Sequence, residues 1–342
     1  MNGPNRLRLD GAALVENWRT LARLSGRAAC GAAVKADGYG LGADAVVTRL
    51  AEAGCREFFV ATWAEAAALD RTDISISVLH GVRDADMPMV HQIAARPVLS
   101  TTAQIQRWRA AGAGECHVMV DTGMNRLGVA PEDIAAGLLD GLSVDVLMSH
   151  LASAEEQNAP ISVQQRASLA SVAERSGARR ISLANSAGIA LGPDFAFDLT
   201  RPGVALYGAV PSDGLAGLIR PVVTIEAEVL QRRHVPAGGR VGYNLTWTAQ
   251  RDSNVAIVNL GYADGYRRAF SNRGTAYVGT VAVPVIGRVS MDLTALDVTG
   301  VDIAEGEWVA FDPDLPRASA ASDVSQYELL TGLGRRFDRV WC

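Results

Sequence analysis

From residue 28 to about 208 the chain repeats one pattern eight times: a short run suited to a strand, then a longer stretch suited to a helix. The runs are AACGAAVK, EFFVAT, ISISVLHG, ARPVLS, CHVMVDTG, VDVLMSHLA, RRISLANS and DLTRPGVALYG, divided by segments such as GADAVVTRLAEAG and SVQQRASLASVAERSG. Alternation of this kind predicts parallel strands joined by crossover helices. Eight such units in so short a span predict a closed (β/α)8 barrel of the TIM type. The rival architecture, an open doubly wound sheet, would carry a G-x-G-x-x-G turn after its first strand, and the sequence has none there. Beyond about Pro221 the texture changes to Val, Thr and aromatic runs broken by Gly, as in VVTIEAEVLQRRHV and TAYVGTVAVPVIGRVSMDLTALDV, which predicts a mostly β domain. The expected organisation is therefore a strand within residues 1–10 pairing with the C-terminal domain, a barrel over 11–221 and a β domain over 222–342.

A chain of 342 residues is long enough for a large domain and a smaller one. Hydrophobic content of 49% with 20% charged residues excludes disorder and a membrane-spanning architecture. The opening MNGPNRLRLDGAALVENWR lacks the apolar core of a signal peptide, so the cytoplasm is the expected compartment. Net charge is −5 with no dense Lys/Arg run, which leaves nucleic acid without an electrostatic footprint. Cys30, Cys55, Cys116 and Cys342 are scattered and form no C-x-x-C pair, so no disulfide framework and no metal site is expected; they read as small buried apolar residues.

Chemistry in such a barrel sits at the carboxyl ends of the strands. Lys35 is expected to end the first strand, Asp121 and Arg126 to follow the fifth, His150 to end the sixth, Asn185 and Ser186 to follow the seventh, and Arg201 to lie in the eighth. Each has a structural explanation of its own: an ion pair for either arginine, a satisfied core position for the histidine, a helix cap for Asn185-Ser186. Their convergence on one rim points to a site. A lysine directed into a partly desolvated mouth has its neutral amine favoured and can join an aldehyde cofactor such as pyridoxal 5'-phosphate as a Schiff base. Such a cofactor needs a phosphate cradle, and the small residues of NSAG and RPGVALYG let backbone N–H groups approach closely. The alternative for Lys35 is an ordinary surface lysine.

The strings AVKADGYGLGA, VDTGMNRLGV, SHLASAEE, ANSAGI, TRPGVALYG, VGYNLTWTA, LGYADGYRR, IGRVSMD and YELLTGLGRR occur in an order that resembles the pyridoxal-phosphate-dependent alanine racemases over essentially the whole chain. That resemblance implies that Lys35 holds the cofactor and is one of two catalytic bases. It implies that Tyr243 is the other base, reaching the cofactor from the second subunit of a head-to-tail homodimer with shared active sites. Tyr39, Ser186, the N–H of Val204 and Tyr327 match the phosphate cradle, and Asn185 and Gly203 are expected to bind the cofactor with them. Arg201 matches the arginine facing the pyridine nitrogen, and His150 the histidine that links it to Tyr243. Arg126 and the backbone of Met291 match the groups holding the substrate carboxylate, and Tyr262 lies in the segment lining the entrance. The implied activity is interconversion of L- and D-alanine, for peptidoglycan synthesis or for alanine breakdown.

Two bases on opposite faces let a proton leave one side of Cα and return on the other, which is what racemisation needs. The sequence departs from the family at two places. Met119 stands where many members carry a carbamylated lysine that braces the substrate-binding arginine, and Ser182 stands in SLANS where HTANS is common. Three alternatives remain open at this stage: a broader racemase for serine or other small amino acids, a non-catalytic cofactor carrier, and a decarboxylase, the last opposed by Arg201.

Overall fold

The computed structural model describes residues 3–112 and 114–342. The chain forms two compact units, one of residues 3–14, Tyr207–Ala209 and Arg220–Cys342, the other of Val15–Leu206 and Val210–Ile219.

In the larger unit seven strands pair in parallel in chain order: Ala32–Ala33, Glu57–Val60, Ser75–Val78, Ala95–Leu99, Cys116–Met119, Val144–Met148 and Arg180–Ser182. Their residues are almost continuously buried, as expected for parallel strands covered on both faces. An eighth, Leu199–Thr200, closes the ring. On one side Asp198 N–H donates to the Ile181 carbonyl at 3.0 Å and Arg201 N–H to that of Ala184 at 2.9 Å. On the other side Leu199–Thr200 pairs in parallel with Ala29–Cys30, and Ala33 N–H donates to the Pro202 carbonyl at 2.8 Å. The run AACGAAVK is thus one path broken at Gly31, where the strand changes neighbours. A Cβ there would stand 2.8 Å from both the Glu57 carbonyl oxygen and the Phe59 ring, so glycine is required by close approach.

Two site residues lie beyond the strands expected to end on them. The first strand stops at Ala33 and the sixth at Met148, so Lys35 and His150 each stand two residues past the last paired position. The cysteine reading holds for Cys30, Cys55 and Cys116, which are buried and free; Cys342 is exposed because it ends the chain at the sheet edge.

The smaller unit is built on an eight-stranded sheet ordered Ser253–Val258, Thr294–Asp297, Val281–Ile286, Thr275–Val278, Trp308–Phe311, Val223–Val235, Asn5–Leu9 and Asp338–Trp341. The long strand Val223–Val235 shifts register between Val229 and Gln231 and also pairs with Ser253–Val258, which closes six of these strands into a barrel. Residues 1 and 2 of the expected N-terminal segment lie outside the described residues; Asn5–Leu9 pairs antiparallel with Val223–Ala227 and parallel with Asp338–Trp341. Its buried side chains alternate with more exposed ones, as a strand covered on one face requires. Among the described residues no helix is long and apolar enough to cross a membrane.

Inside the larger unit His117 is fully buried 4.0 Å from Asp145, and neither ring nitrogen has a hydrogen-bond partner. Burial holds its pKa below the ordinary histidine value; Asp145 opposes this, and Arg96, Arg180 and Arg201 reinforce it. Unfolded, the same imidazole titrates near ~6.5, so below that pH the unfolded chain binds a proton that the folded chain refuses. Stability should therefore fall as pH drops from ~6.5, at up to ~1.4 kcal/mol per pH unit for this one group. In His117→Leu, denaturant midpoints at pH 7 and pH 5 should lie closer together than in the parent; an equal separation would contradict this.

Candidate active site

The turn after the first barrel strand holds Lys35 by an unusual run of backbone. Ala36, Asp37, Gly38, Tyr39 and Gly40 all have positive φ, between 54° and 88°. Three of them carry side chains, each costing roughly 1 kcal/mol or more in that region, so neighbours must impose the shape. Ala36 N–H donates to Glu65 Oε1 at 2.8 Å, Ala43 N–H to Asp37 Oδ1 at 2.9 Å, and Gly38 N–H to the Val34 carbonyl at 2.9 Å. Glu65 Oε2 also accepts from Ala61 N–H at 2.6 Å, so one carboxylate joins the ends of the first two strands. Lys35 is half-buried there. Its pKa is lowered, first by burial and then by the charges of Arg126 and Arg201, with Glu65 opposing.

Across the mouth, Ser186 Oγ accepts from Gly203 N–H at 2.9 Å and from Ala205 N–H at 3.2 Å. Asn185 caps the short helix Ser186–Ile189, its Oδ1 accepting from Gly188 N–H at 2.8 Å. A Cβ on Gly203 would lie 2.4 Å from the Tyr39 hydroxyl, so Tyr39 reaches the backbone just before Val204 only because that residue is glycine. Tyr39, Asn185, Ser186, Gly203 and Val204 therefore form one cluster of hydroxyls and close-lying backbone.

Arg201 is 6% exposed, and among the described residues no carboxylate pairs with it. It donates to the Ser149 carbonyl at 2.7 Å, to the Leu183 carbonyl at 3.5 Å and to Ser182 Oγ. Burial pushes it down to about 10, still charged near neutrality. The expected bond from Arg201 to His150 is absent among the described residues; Nη1 donates instead to Ser182 Oγ, and Nη2 to the Ser149 and Leu183 carbonyls. Ser182 is thus the direct partner of this arginine. His150 is half-buried nearby; burial, then the charges of Arg201, Arg126 and Lys35, push it down to about 3, so it is neutral across the physiological range. Arg126 stands exposed on the loop after the fifth strand, and Met119 is buried within that strand.

The smaller unit brings three of the other residues together. Tyr262 N–H donates to the Ser290 carbonyl and Ala263 N–H to that of Met291, both at 3.0 Å. Gly242 lies close enough to Arg288 that a Cβ would meet its nitrogen at 3.2 Å, which ties the Tyr243 turn to the same loop. Tyr243 is 69% exposed, and Leu245, Tyr262, Met291 and Leu293 are exposed with it. An apolar and aromatic group this prominent is a typical interaction surface. Tyr327 is half-buried on the helix Gln326–Thr331.

Sequence reasoning did not single out Glu65 or Gln165. For Glu65 a signal was available: Thr62 and Glu65 have the T-x-x-E spacing of a helix start, and Thr62 Oγ1 accepts from Glu65 N–H at 3.2 Å, while the Glu65 carboxylate turns to Ala61 and Ala36. For Gln165 there was none, since glutamine within a helix usually faces water.

Residues 9–211 match the family description "Alanine racemase, N-terminal domain" and residues 222–341 "Alanine racemase, C-terminal domain". The chain is 43% identical to an alanine racemase of Acidiphilium cryptum, covering 99% of each sequence. It is 40% identical to a catabolic alanine racemase of Rhizobium johnstonii (98% of this chain, 94% of that one) and 41% identical to a biosynthetic one of Agrobacterium fabrum (99% and 94%). Among solved structures, alanine racemase from Bartonella henselae with covalently bound pyridoxal phosphate superposes with a TM-score of 0.91 at 34% identity, covering 99% of both chains.

Proposed function

The chain belongs to the alanine racemase family, and from that premise we propose that it interconverts L- and D-alanine with pyridoxal 5'-phosphate, using Lys35 and the Tyr243 of a second copy as opposed bases. The observation that carries the reading is the pairing of an amine and a guanidinium in one mouth. Lys35 has its neutral form favoured, and Arg201 is buried without a carboxylate. The mouth fits this cofactor: Gly203 leaves room that a Cβ would fill, and Ser186, Asn185, Tyr39 and the Val204 N–H gather where a phosphate needs donors. Tyr327 completes that set in the proposal.

When bound, the cofactor supplies an electron sink that makes the Cα proton of an amino acid removable. Lys35 holds it and moves a proton at one face of Cα. Tyr243 moves a proton at the other face. Arg201 stays charged and keeps its proton, so it would leave the cofactor's pyridine nitrogen unprotonated and the sink weak, which would favour return of the proton to Cα. His150, neutral beside Arg201, is available as a hydrogen-bond partner without adding a third positive charge. Arg126 and the Met291 N–H grip the substrate carboxylate, and Tyr262 borders the entrance. The exposed group of Tyr243, Leu245, Tyr262, Met291 and Leu293 supports a homodimer in which each copy completes the other's site.

A broader racemase for small amino acids is the second reading, favoured by an Arg126 that has no ion-pair partner among the described residues and by an apolar, buried Met119 in the strand before it. Chiral analysis of L-alanine and L-serine incubated with the holo protein separates the two. We expect D-alanine to form at least ~10-fold faster than D-serine, a difference of ~1.4 kcal/mol. Equal rates would establish the second reading, and no D-product from either would refute both.

A further inference from the structure

We propose that Gln165 is a positioning residue: its buried side-chain amide fixes the loop that carries Arg126 and thereby sets the affinity for the substrate carboxylate. The inference rests on the assignment of Arg126 made above. Among the described residues Arg126 has no hydrogen-bond or ion-pair partner, and Met119 offers it no charge. The location of its guanidinium is therefore governed by its backbone.

That backbone is stiff within itself. Asp121 Oδ1 accepts from the N–H groups of Gly123, Met124 and Asn125 at 2.8, 2.9 and 3.1 Å. Asp121 N–H donates to the Val129 carbonyl at 3.0 Å, which closes the loop at its base. A rigid loop needs only an orienting contact, and Thr122 supplies it. The Thr122 hydroxyl lies 2.7 Å from Ser149 Oγ and accepts from Gln165 Nε2 at 3.4 Å.

Gln165 projects from the helix Pro160–Ser176 and is fully buried. Its Nε2 also donates to the His150 carbonyl at 2.9 Å, and its Oε1 accepts from Ala152 N–H at 2.9 Å. One amide thus joins the loop after the fifth strand to the loop after the sixth, and Ser149 passes the connection on to Arg201 through its carbonyl. A buried amide with every partner in place is costly to disturb, and its loss would be felt where the loops are otherwise untied.

The test uses the holoenzyme. Gln165→Glu keeps the size and the acceptor for Ala152 but loses the donor to His150 and Thr122; Thr122→Val removes the loop's own bonds to Gln165 and Ser149 with little change of shape. Both should raise KM for L-alanine about 10-fold while kcat changes less than about 3-fold, since the carboxylate grip is used in ground and transition states alike. In an Arg126→Ala background Gln165→Glu should no longer alter KM. A merely structural role would lower Tm and leave KM unchanged in both variants, or change it by the same factor with and without Arg126; either result overturns the proposal. A parent that racemises alanine while its variants keep KM refutes this inference alone, whereas a parent without racemisation refutes the functional reading and this inference with it.

Discussion

Lys35→Ala should abolish racemisation, lowering kcat by roughly 10^4-fold or more, without destabilising the protein. Loss of a positioned proton-transfer group alone costs about 10²–10⁴-fold, and in the proposed mechanism the same side chain also holds the cofactor. The stability half of the prediction follows from the surroundings. Lys35 is half-buried, and the charges of Arg126 and Arg201 oppose its own. The turn is held by backbone bonds to Glu65, Asp37 and Val34 that the substitution leaves in place. Tm should stay level or rise, as expected where a strained, like-charged mouth serves function at the expense of stability. Lys35→Arg should be equally inactive, because a guanidinium does not give up its proton near neutral pH. A Lys35→Ala protein within ten-fold of the parent rate would remove Lys35 from the mechanism.

The barrel was legible because parallel strands buried on both faces leave continuous apolar runs, and eight of them stood between helix-compatible stretches. The strand ends were less legible. Lys35 and His150 lie past the last paired residue because hydrogen bonding, not side-chain character, decides where a strand stops. In AACGAAVK the change of neighbours at Gly31 comes from contact with Glu57 and Phe59, residues some twenty-five positions away. The left-handed run through Ala36, Asp37 and Tyr39 contradicts the local preference of those residues and is enforced by tertiary bonds, so no local pattern announces it. The motif strings describe which residues stand together and not which atoms meet. Arg201 was expected to reach His150 and instead bonds Ser182, a residue noticed only because SLANS stands where the family string HTANS is common. Gln165 was invisible for a simpler reason: nothing in SVQQRASLASVAERSG marks one of two adjacent glutamines as buried.

Tyr243→Phe should leave the fold intact and remove one of the two proton transfers. At 69% exposed the side chain contributes little to its own unit, so Tm should be unchanged, while the interconversion rate should fall by about 10²–10⁴-fold. The loss is specific in kind. A site with only the lysine base can still remove and return a proton on its own face, so one antipode should exchange its Cα proton with solvent while keeping its hand. The hydroxyl is all that differs between the two side chains, so shape and apolar contact within the exposed group are preserved.

Two bases on opposite faces can be tested by incubating parent and Tyr243→Phe holo protein in heavy water with each antipode of alanine, and following deuterium entry at Cα together with circular dichroism. The parent should show deuterium entry with inversion for both antipodes, and Tyr243→Phe deuterium entry into one antipode with no inversion. Inversion at the parent rate in Tyr243→Phe would contradict the two-base mechanism.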